Sequence, residues 1–293
     1  MKISNLIPSV LFASQFLVAC GSDSDSSTAN SEADIVDTAV AAGSFTQLTK
    51  ALGDAGLVSA LKGAGPFTVF APSDAAFATF ERDNPGVLAS LSQQALTEIL
   101  SYHVVSGAAV TSDSLKNGEA FVTLSGAPLL VGTVGGVKIN DAGVTAADVM
   151  ASNGVIHVLD HIILPPEEDI VATAVGAGTF STLASALTSA DLVSTLQGAG
   201  PFTVFAPTDA AFSKLTTVPS GDALKNVLLY HVTSGAVGSG DLAAGPVPTL
   251  LSGENLTIDL TNGVGVNDAR VTTANILAKN GIIHVVDSVL VPE

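Results

Sequence analysis

Tryptophan is absent, tyrosine occurs only as Tyr102 and Tyr230, and the one cysteine is Cys20. A single thiol closes no disulfide within the chain, so the fold must rest on packing alone. Few aromatics argue against a lectin that stacks sugars on aromatic platforms. Lys and Arg number 10 against 27 Asp and Glu, a formal charge of −17. Phosphate recognition needs clustered Lys and Arg, so nucleic acid is excluded as a partner class. No apolar run reaches the roughly 18 residues that mark a membrane-spanning helix. His-Glu-x-x-His, a Walker loop, G-x-G-x-x-G and G-x-S-x-G are all missing. Without a motif that pairs a nucleophile with a base or holds a metal or a phosphate, the expectation is no catalytic residue, no metal and no cofactor.

What the chain does have, it has twice. Residues 63–77 read GAGPFTVFAPSDAAF and residues 198–212 read GAGPFTVFAPTDAAF, differing only at Ser73 against Thr208. A word this long marks a tandem repeat. Phe67 to Ala71 is a short aromatic and β-branched run with apolar groups on both faces, which predicts a strand covered on two sides. Pro72 can end its ladder. Ser73 or Thr208 can then cap a helix, with Asp74 or Asp209 complementing the dipole in the first turn. Phe77 and Phe212 turn that helix towards the core.

The word sits in the same order of elements in each copy. Ile35, Val36, Ala39 and Val40 are matched by Ile170, Val171, Ala174 and Val175 at helical spacing. Phe45, Leu48 and Leu52 are matched by Phe180, Leu183 and Leu187, and Leu57 to Leu61 by Leu192 to Leu196. These are amphipathic helices showing one face to a core. After the word, Leu96, Ile99 and Leu100 lead to Tyr102-His103, and Leu224, Val227 and Leu228 lead to Tyr230-His231. The second copy is seven residues shorter between word and helix, which predicts a surface connecting loop there. The last third of each copy is strand-like. Asn153-Gly154 and Asn280-Gly281 lie between apolar runs, which predicts type I′ hairpins with positive φ at both central residues.

Residues 1–33 have another character. Lys2 precedes a short apolar stretch from Leu6 to Ala19, the pattern of a secretory signal. It ends Leu17-Val18-Ala19-Cys20-Gly21, which resembles a bacterial lipobox and implies cleavage before Cys20 and acylation of that residue. Several acyl chains on one residue anchor where one would not. Gly21 to Asp34 is Ser-rich and acidic with nothing to bury, the composition of a disordered tether. The expected organisation is a signal peptide at 1–19, a lipid-anchored tether at 20–33, a first domain at 34–166 and a second at 167–293.

Three features in order are specific: PFTVFAPSDAAF, the Tyr-His pair ending a helix, and NGVIHVLDHIILP. All three recur as PFTVFAPTDAAF, Tyr230-His231 and NGIIHVVDSVLVP. Together they resemble the fasciclin domain over most of the chain. The resemblance implies an α+β fold of two tandem domains, each a β-wedge sandwich with helices packed at its side. It also implies a role in adhesion or extracellular-matrix contact. Some animal members carry an integrin-contact motif of the form acidic-Pro-Asp-Ile-Met. Asp148-Val149-Met150 matches only its last part, and Asn275-Ile276-Leu277 matches less. Candidate partner-binding residues are therefore Tyr102, His103, Asp148, Val149, Met150, Tyr230 and His231. A zinc pair from His103 and His157 falls short of the three or four ligands zinc uses. The other expectation for these rings is half-burial and hydrogen bonding that fixes helix to sheet.

The resulting expectation is a non-enzymatic bacterial envelope lipoprotein. It would be exported, held by lipid at Cys20 in the outer membrane or at the cell surface, and would contact a surface, a matrix polymer or an envelope protein. The alternatives are an envelope binding protein for a small ligand or glycan, and a spacer that displays envelope partners.

Overall fold

The computed structural model describes residues 33–217 and 219–292. The signal segment, Cys20 and the tether up to residue 32 lie outside the described residues.

The first repeat runs α1 (Ile35–Ala42), α2 (Thr46–Ala55), α3 (Val58–Leu61), β1 (Phe67–Pro72), α4 (Asp74–Asp83), α5 (Val87–Ser90) and α6 (Gln93–Tyr102). Strands β2 (Val104–Ser106), β3 (Ala120–Val122), β4 (Pro128–Gly132), β5 (Lys138–Ile139), β6 (Ala142–Ala151) and β7 (Gly154–Leu159) follow. The second repeat has α7 (Ile170–Gly176), α8 (Ser181–Ser189), α9 (Val193–Leu196), β8 (Phe202–Pro207), α10 (Asp209–Phe212) and α11 (Gly221–Tyr230). It closes with β9 (Val232–Ser234), β10 (Gly245–Pro248), β11 (Asn255–Asp259), β12 (Gly265–Val266), β13 (Ala269–Ala278) and β14 (Gly281–Val286).

Each repeat builds a seven-stranded sheet of the same order, β2-β1-β7-β6-β5-β4-β3 in the first. β1 and β7 pair in parallel, as do β8 and β14, while the other named strand pairs are antiparallel. β1 is covered on both faces, as its apolar run predicts. Alternation sends Val69 and Ala71 to a core shared with helices α1, α2 and α6, and Phe70 to a second core inside the folded sheet. The first core holds Ile35, Leu48, Leu52, Phe77 and Leu100; the second holds Tyr102, Leu129, Ile139, Leu159 and Ile163. This is the wedge with helices at one side.

Local signals account for the helix after β1. Ser73 Oγ accepts from Ala76 N at 3.2 Å, and Thr208 Oγ1 accepts from Ala211 N at 3.2 Å. Asp74 does more than complement its own helix. Its carboxylate accepts from Gln47 N at 2.9 Å, Thr46 Oγ1 at 2.8 Å and Thr46 N at 3.2 Å. It therefore caps α2, whose own N-cap residue, Phe45, offers no side-chain acceptor. Asp209 does the same for α8, with Thr182 N at 2.7 Å.

Two expectations are corrected. The stretch where the first copy is longer does lie on the surface, but it is largely helical: α4 has 10 residues where α10 has 4, and α5 has no counterpart among the described residues of the second repeat. The Asn-Gly pairs do close hairpins, but not as type I′ turns. Ala151 pairs with Gly154, so Ser152 and Asn153 form the turn, and neither Asn153 nor Gly154 has positive φ. Gly154 is needed for space instead, because a Cβ there would lie 2.2 Å from the Phe67 carbonyl oxygen across the parallel pair. Asn153 is a hub. Its Oδ1 accepts from Ile35 N at 3.0 Å, and its Nδ2 donates to Leu61 O at 2.7 Å and Gly63 O at 2.9 Å. One amide thus joins the start of α1, the end of α3 and the β6–β7 turn. Asn280 repeats these bonds with Ile170, Leu196 and Gly198.

Removing that amide strands a backbone donor and two acceptors that are half-buried or deeper. Asn153→Ala is expected to lower the stability of the first repeat by about 3 kcal/mol. Asn84→Ala, at an exposed bond to Phe80 O, is expected to stay within about 0.5 kcal/mol. Urea unfolding of the two variants side by side checks the contrast; equal small losses would contradict the hub.

Candidate functional site

The Tyr-His pairs end α6 and α11 and point inward. Tyr102 is 0 % exposed and His103 2 %. The Tyr102 hydroxyl donates to Pro128 O at 2.9 Å and accepts from Asn140 Nδ2 at 2.9 Å. It thereby ties α6 to β4 and to the β5–β6 turn, where Asn140 takes a left-handed φ of 54°. Burial pushes the phenol up to about 12. Tyr230 repeats the arrangement with Asn255 O and Asn267 Nδ2, both at 2.9 Å.

His103 bridges two backbone segments. Nδ1 faces Ile99 O at 2.8 Å and Nε2 accepts from Ile163 N at 3.2 Å. A carbonyl at one nitrogen and an N–H at the other define the neutral Nδ1–H tautomer. His231 matches it with Val227 O at 2.7 Å and Leu290 N at 2.9 Å. Burial pushes both imidazoles down to about 4. Both rings are fully buried, deeper than half-burial, and fix helix to sheet from within.

His157 and His284 lie on β7 and β14 inside the wedge, each 0 % exposed. They stack on Phe70 and Phe205 at 5.5 Å between ring centres. Nε2 of His157 donates to Val110 O at 2.8 Å, and Nε2 of His284 donates to Val237 O at 2.9 Å. Burial lowers the His284 pKa. His161 is exposed, 2.8 Å from Asp160 Oδ1. Among the described residues no three His, Cys, Asp or Glu side chains converge on a point that could hold a metal.

Asp148 stands at the irregular centre of β6, with a φ of 58°. Its carboxylate accepts from Ser112 N at 2.8 Å and Ser112 Oγ at 2.5 Å, and these bonds hold it below the usual carboxylate range. Asn275 occupies the same place with a φ of 64° and receives Ser239 N at 2.8 Å. Val149 packs on the helix-side core and Met150 is 64 % exposed. The structure thus separates the seven candidates. Tyr102, His103, Tyr230 and His231 lie inside the fold, Asp148 and Val149 are half-buried, and only Met150 offers most of its surface outward. Residues to which sequence reasoning assigned a local role or none hold the structure together across long distances: Asp74, Asn140, Asn153 and Thr68, with Asp209, Asn267, Asn280 and Thr203 as their counterparts. Their recurrence at matching places in both copies was the available signal.

The buried imidazoles set a pH dependence. From pH 6.5 down to about 4 the unfolded chain takes up a proton at His103 that the native chain refuses, and likewise at His231. Stability therefore falls as pH falls through that window, by about 3 kcal/mol per repeat at pH 4. The carboxylates Asp74, Asp148 and Asp209, whose pKa values are all lowered, withdraw their stabilisation only as pH falls below about 3.8. Urea unfolding between pH 7 and pH 4 checks this; a flat profile over that range would contradict it.

Comparison with known proteins places this geometry. The Fasciclin domain family matches twice, at residues 43–165 and 178–292. The chain is 28% identical over 238 residues to the transforming growth factor-beta-induced protein ig-h3 of Sus scrofa, covering 78% of this chain and 35% of that protein. It spans about a third of the length of such relatives. One repeat's length is 46% identical over 134 residues to protein sll1483 of Synechocystis, covering 45% of this chain and 73% of that protein. A solved FAS1 domain pair from the insect cell adhesion molecule fasciclin I is 19% identical. It covers 85% of this chain and 97% of that one with a TM-score of 0.38. Matched over both of its repeats, the chain belongs to the fasciclin-domain family.

Proposed function

We propose that the protein is a non-enzymatic adhesion module of a bacterial cell envelope, tethered by lipid at Cys20. It contacts a surface, a matrix polymer or an envelope protein. The observation that carries this reading is the use of its versatile side chains. The two tyrosines and four of the five histidines are bound up inside the two folds, at matching places in each. What faces outward is a mixture of acidic and hydroxylated side chains with scattered apolar ones such as Val134 and Met150, suited to contact over an area. The fasciclin-domain assignment supports the reading. Export and anchoring rest on the lipobox-like run at Leu17–Cys20. No helix among the described residues is long and apolar enough to cross a membrane.

A second reading draws on one feature of the first repeat. α2, α4, α5 and α6 line a groove of about 540 Å³ over Ala51, Phe77, Leu88 and Leu96. That volume is within the range of small-molecule clefts. It would suit an envelope protein that captures a small apolar ligand.

Cells lacking the protein are expected to attach less well to a polymer-coated surface than parent cells in which protease shaving shows it exposed. Equal attachment would count against adhesion. Leu88→Asp is expected to leave attachment intact; if it abolished attachment together with a ligand-induced rise in Tm, the capture reading would take its place. Cys20→Ser is expected to move the protein into the soluble fraction or leave it unprocessed. Normal processing with membrane retention would contradict the anchor.

A further inference from the structure

The loop at residues 238–241 of the second repeat has a strict counterpart at 111–114 in the first. Val237 N and Val110 N both receive support from a strand threonine, Thr203 and Thr68, at 2.9 Å. Ser239 N and Ser112 N donate to Asn275 and Asp148, each at 2.8 Å. Gly238 therefore corresponds to Thr111, Gly240 to Asp113, and Asp241 to Ser114.

Among the described residues only the second-repeat loop is occupied, and its occupant is the turn at residues 117–120 of the first repeat. Gly240 N donates to Gly118 O at 2.9 Å. Ala120 N donates to Asp241 Oδ2 at 2.8 Å, and the same oxygen accepts from Gly238 N at 3.1 Å. At Gly238 and Gly240 the two backbones meet directly. A Cβ at Gly238 would lie 2.1 Å from Gly118 O, and one at Gly240 would lie 2.3 Å from Asn117 O. Neither glycine has a positive φ, so close approach and not backbone conformation demands them. Gly118 needs both, with a φ of 80° and only 2.4 Å from a Cβ to Ser239 Oγ. Lys279 Nζ and Glu98 Oε1 add an exposed ion pair at 3.0 Å across the same junction, of the kind that contributes little by itself.

We infer that the two repeats act as one rigid body, locked by a backbone-to-backbone key in which the second-repeat loop receives the first-repeat turn. The default for tandem domains is relative motion unless the interface is extensive. Here the restraint comes from one main-chain hydrogen bond, Gly240 N to Gly118 O, and one from Ala120 N to the Asp241 carboxylate, at a contact too close for a Cβ on either loop glycine. The key fits in one place only, because Thr111 and Asp113 fill the corresponding space on the first repeat. The order of the repeats is thereby fixed. A partner with two equivalent epitopes meets both repeats at a set spacing, so its second contact is intramolecular and already oriented. This goes beyond the adhesion reading and holds whatever the partner is.

The test uses the full chain with Cys20→Ser and spin labels at Ser90→Cys and Ser189→Cys, both exposed and one in each repeat. Pulsed EPR is expected to give one narrow distance distribution. Gly238→Thr with Gly240→Asp places the first repeat's own residues in the equivalent loop, and is expected to broaden the distribution while the far-ultraviolet circular dichroism stays unchanged. Gly240→Ala, adding a single carbon, is expected to broaden it as well and serves if the double variant misfolds. A broad distribution in the parent chain would overturn the inference, as would a narrow, unshifted one in a folded variant.

Discussion

The parallel pairing of β1 with β7, and of β8 with β14, is the constraint on which the rest depends. Phe67 lies opposite Gly154 and Pro72 opposite Leu159, six residues in continuous register. The pairing joins a segment near the start of the repeat to one near its end, so the chain must enclose everything between them. It is possible only because Gly154 and Gly281 let the neighbouring carbonyls of Phe67 and Phe202 approach to within 2.2 and 2.1 Å of where a Cβ would stand. The pair is then buried on both faces, by helices on one and by the folded sheet on the other.

Polar groups fasten the other elements to that pair. Asn153 draws α1 and α3 to its end, Asp74 fixes α2 beside α4, and His103 links the close of α6 to the segment after β7. Tyr102 reaches from the same helix end to β4 and Asn140. No buried side-chain nitrogen or oxygen among the described residues is left without a partner. Such completeness matters because an unsatisfied buried group costs more than a satisfied one contributes. It also explains the roles of His103 and His231. Each sits where two backbone groups of opposite kind face one another, and only a neutral imidazole with one N–H and one bare nitrogen satisfies both. The same demand for closeness recurs between the repeats, where glycine again admits a carbonyl.

The sequence disclosed those parts of the fold whose cause is local. The cap at Ser73 is a bond over three residues, and the helices announce themselves by apolar spacing, as β1 does by its apolar run. The duplicated word and the Tyr-His and Asn-Gly signatures were enough to identify the domain. What stayed hidden depends on residues far apart in the chain. Asn153 looked like a turn former because its partners are 118, 92 and 90 residues away. Asp74 looked like a first-turn acid because the helix it caps begins 28 residues earlier. The Tyr-His pair looked like a possible contact because helical spacing places it on an apolar face without saying how deep that face lies. The extra seven residues passed for a loop because α5 spans a single turn, too short for periodicity to show.

Native-state hydrogen exchange tests the central claim most directly. If the β1–β7 and β8–β14 pairs hold each repeat closed, the amides of Thr68 to Ala71, Val155 to Val158 and their second-repeat counterparts exchange only through complete unfolding of their repeat. Their exchange free energies would then equal its unfolding free energy. Exchange of these amides through smaller openings, with the helices or the outer strands β3 and β4 better protected, would contradict the account.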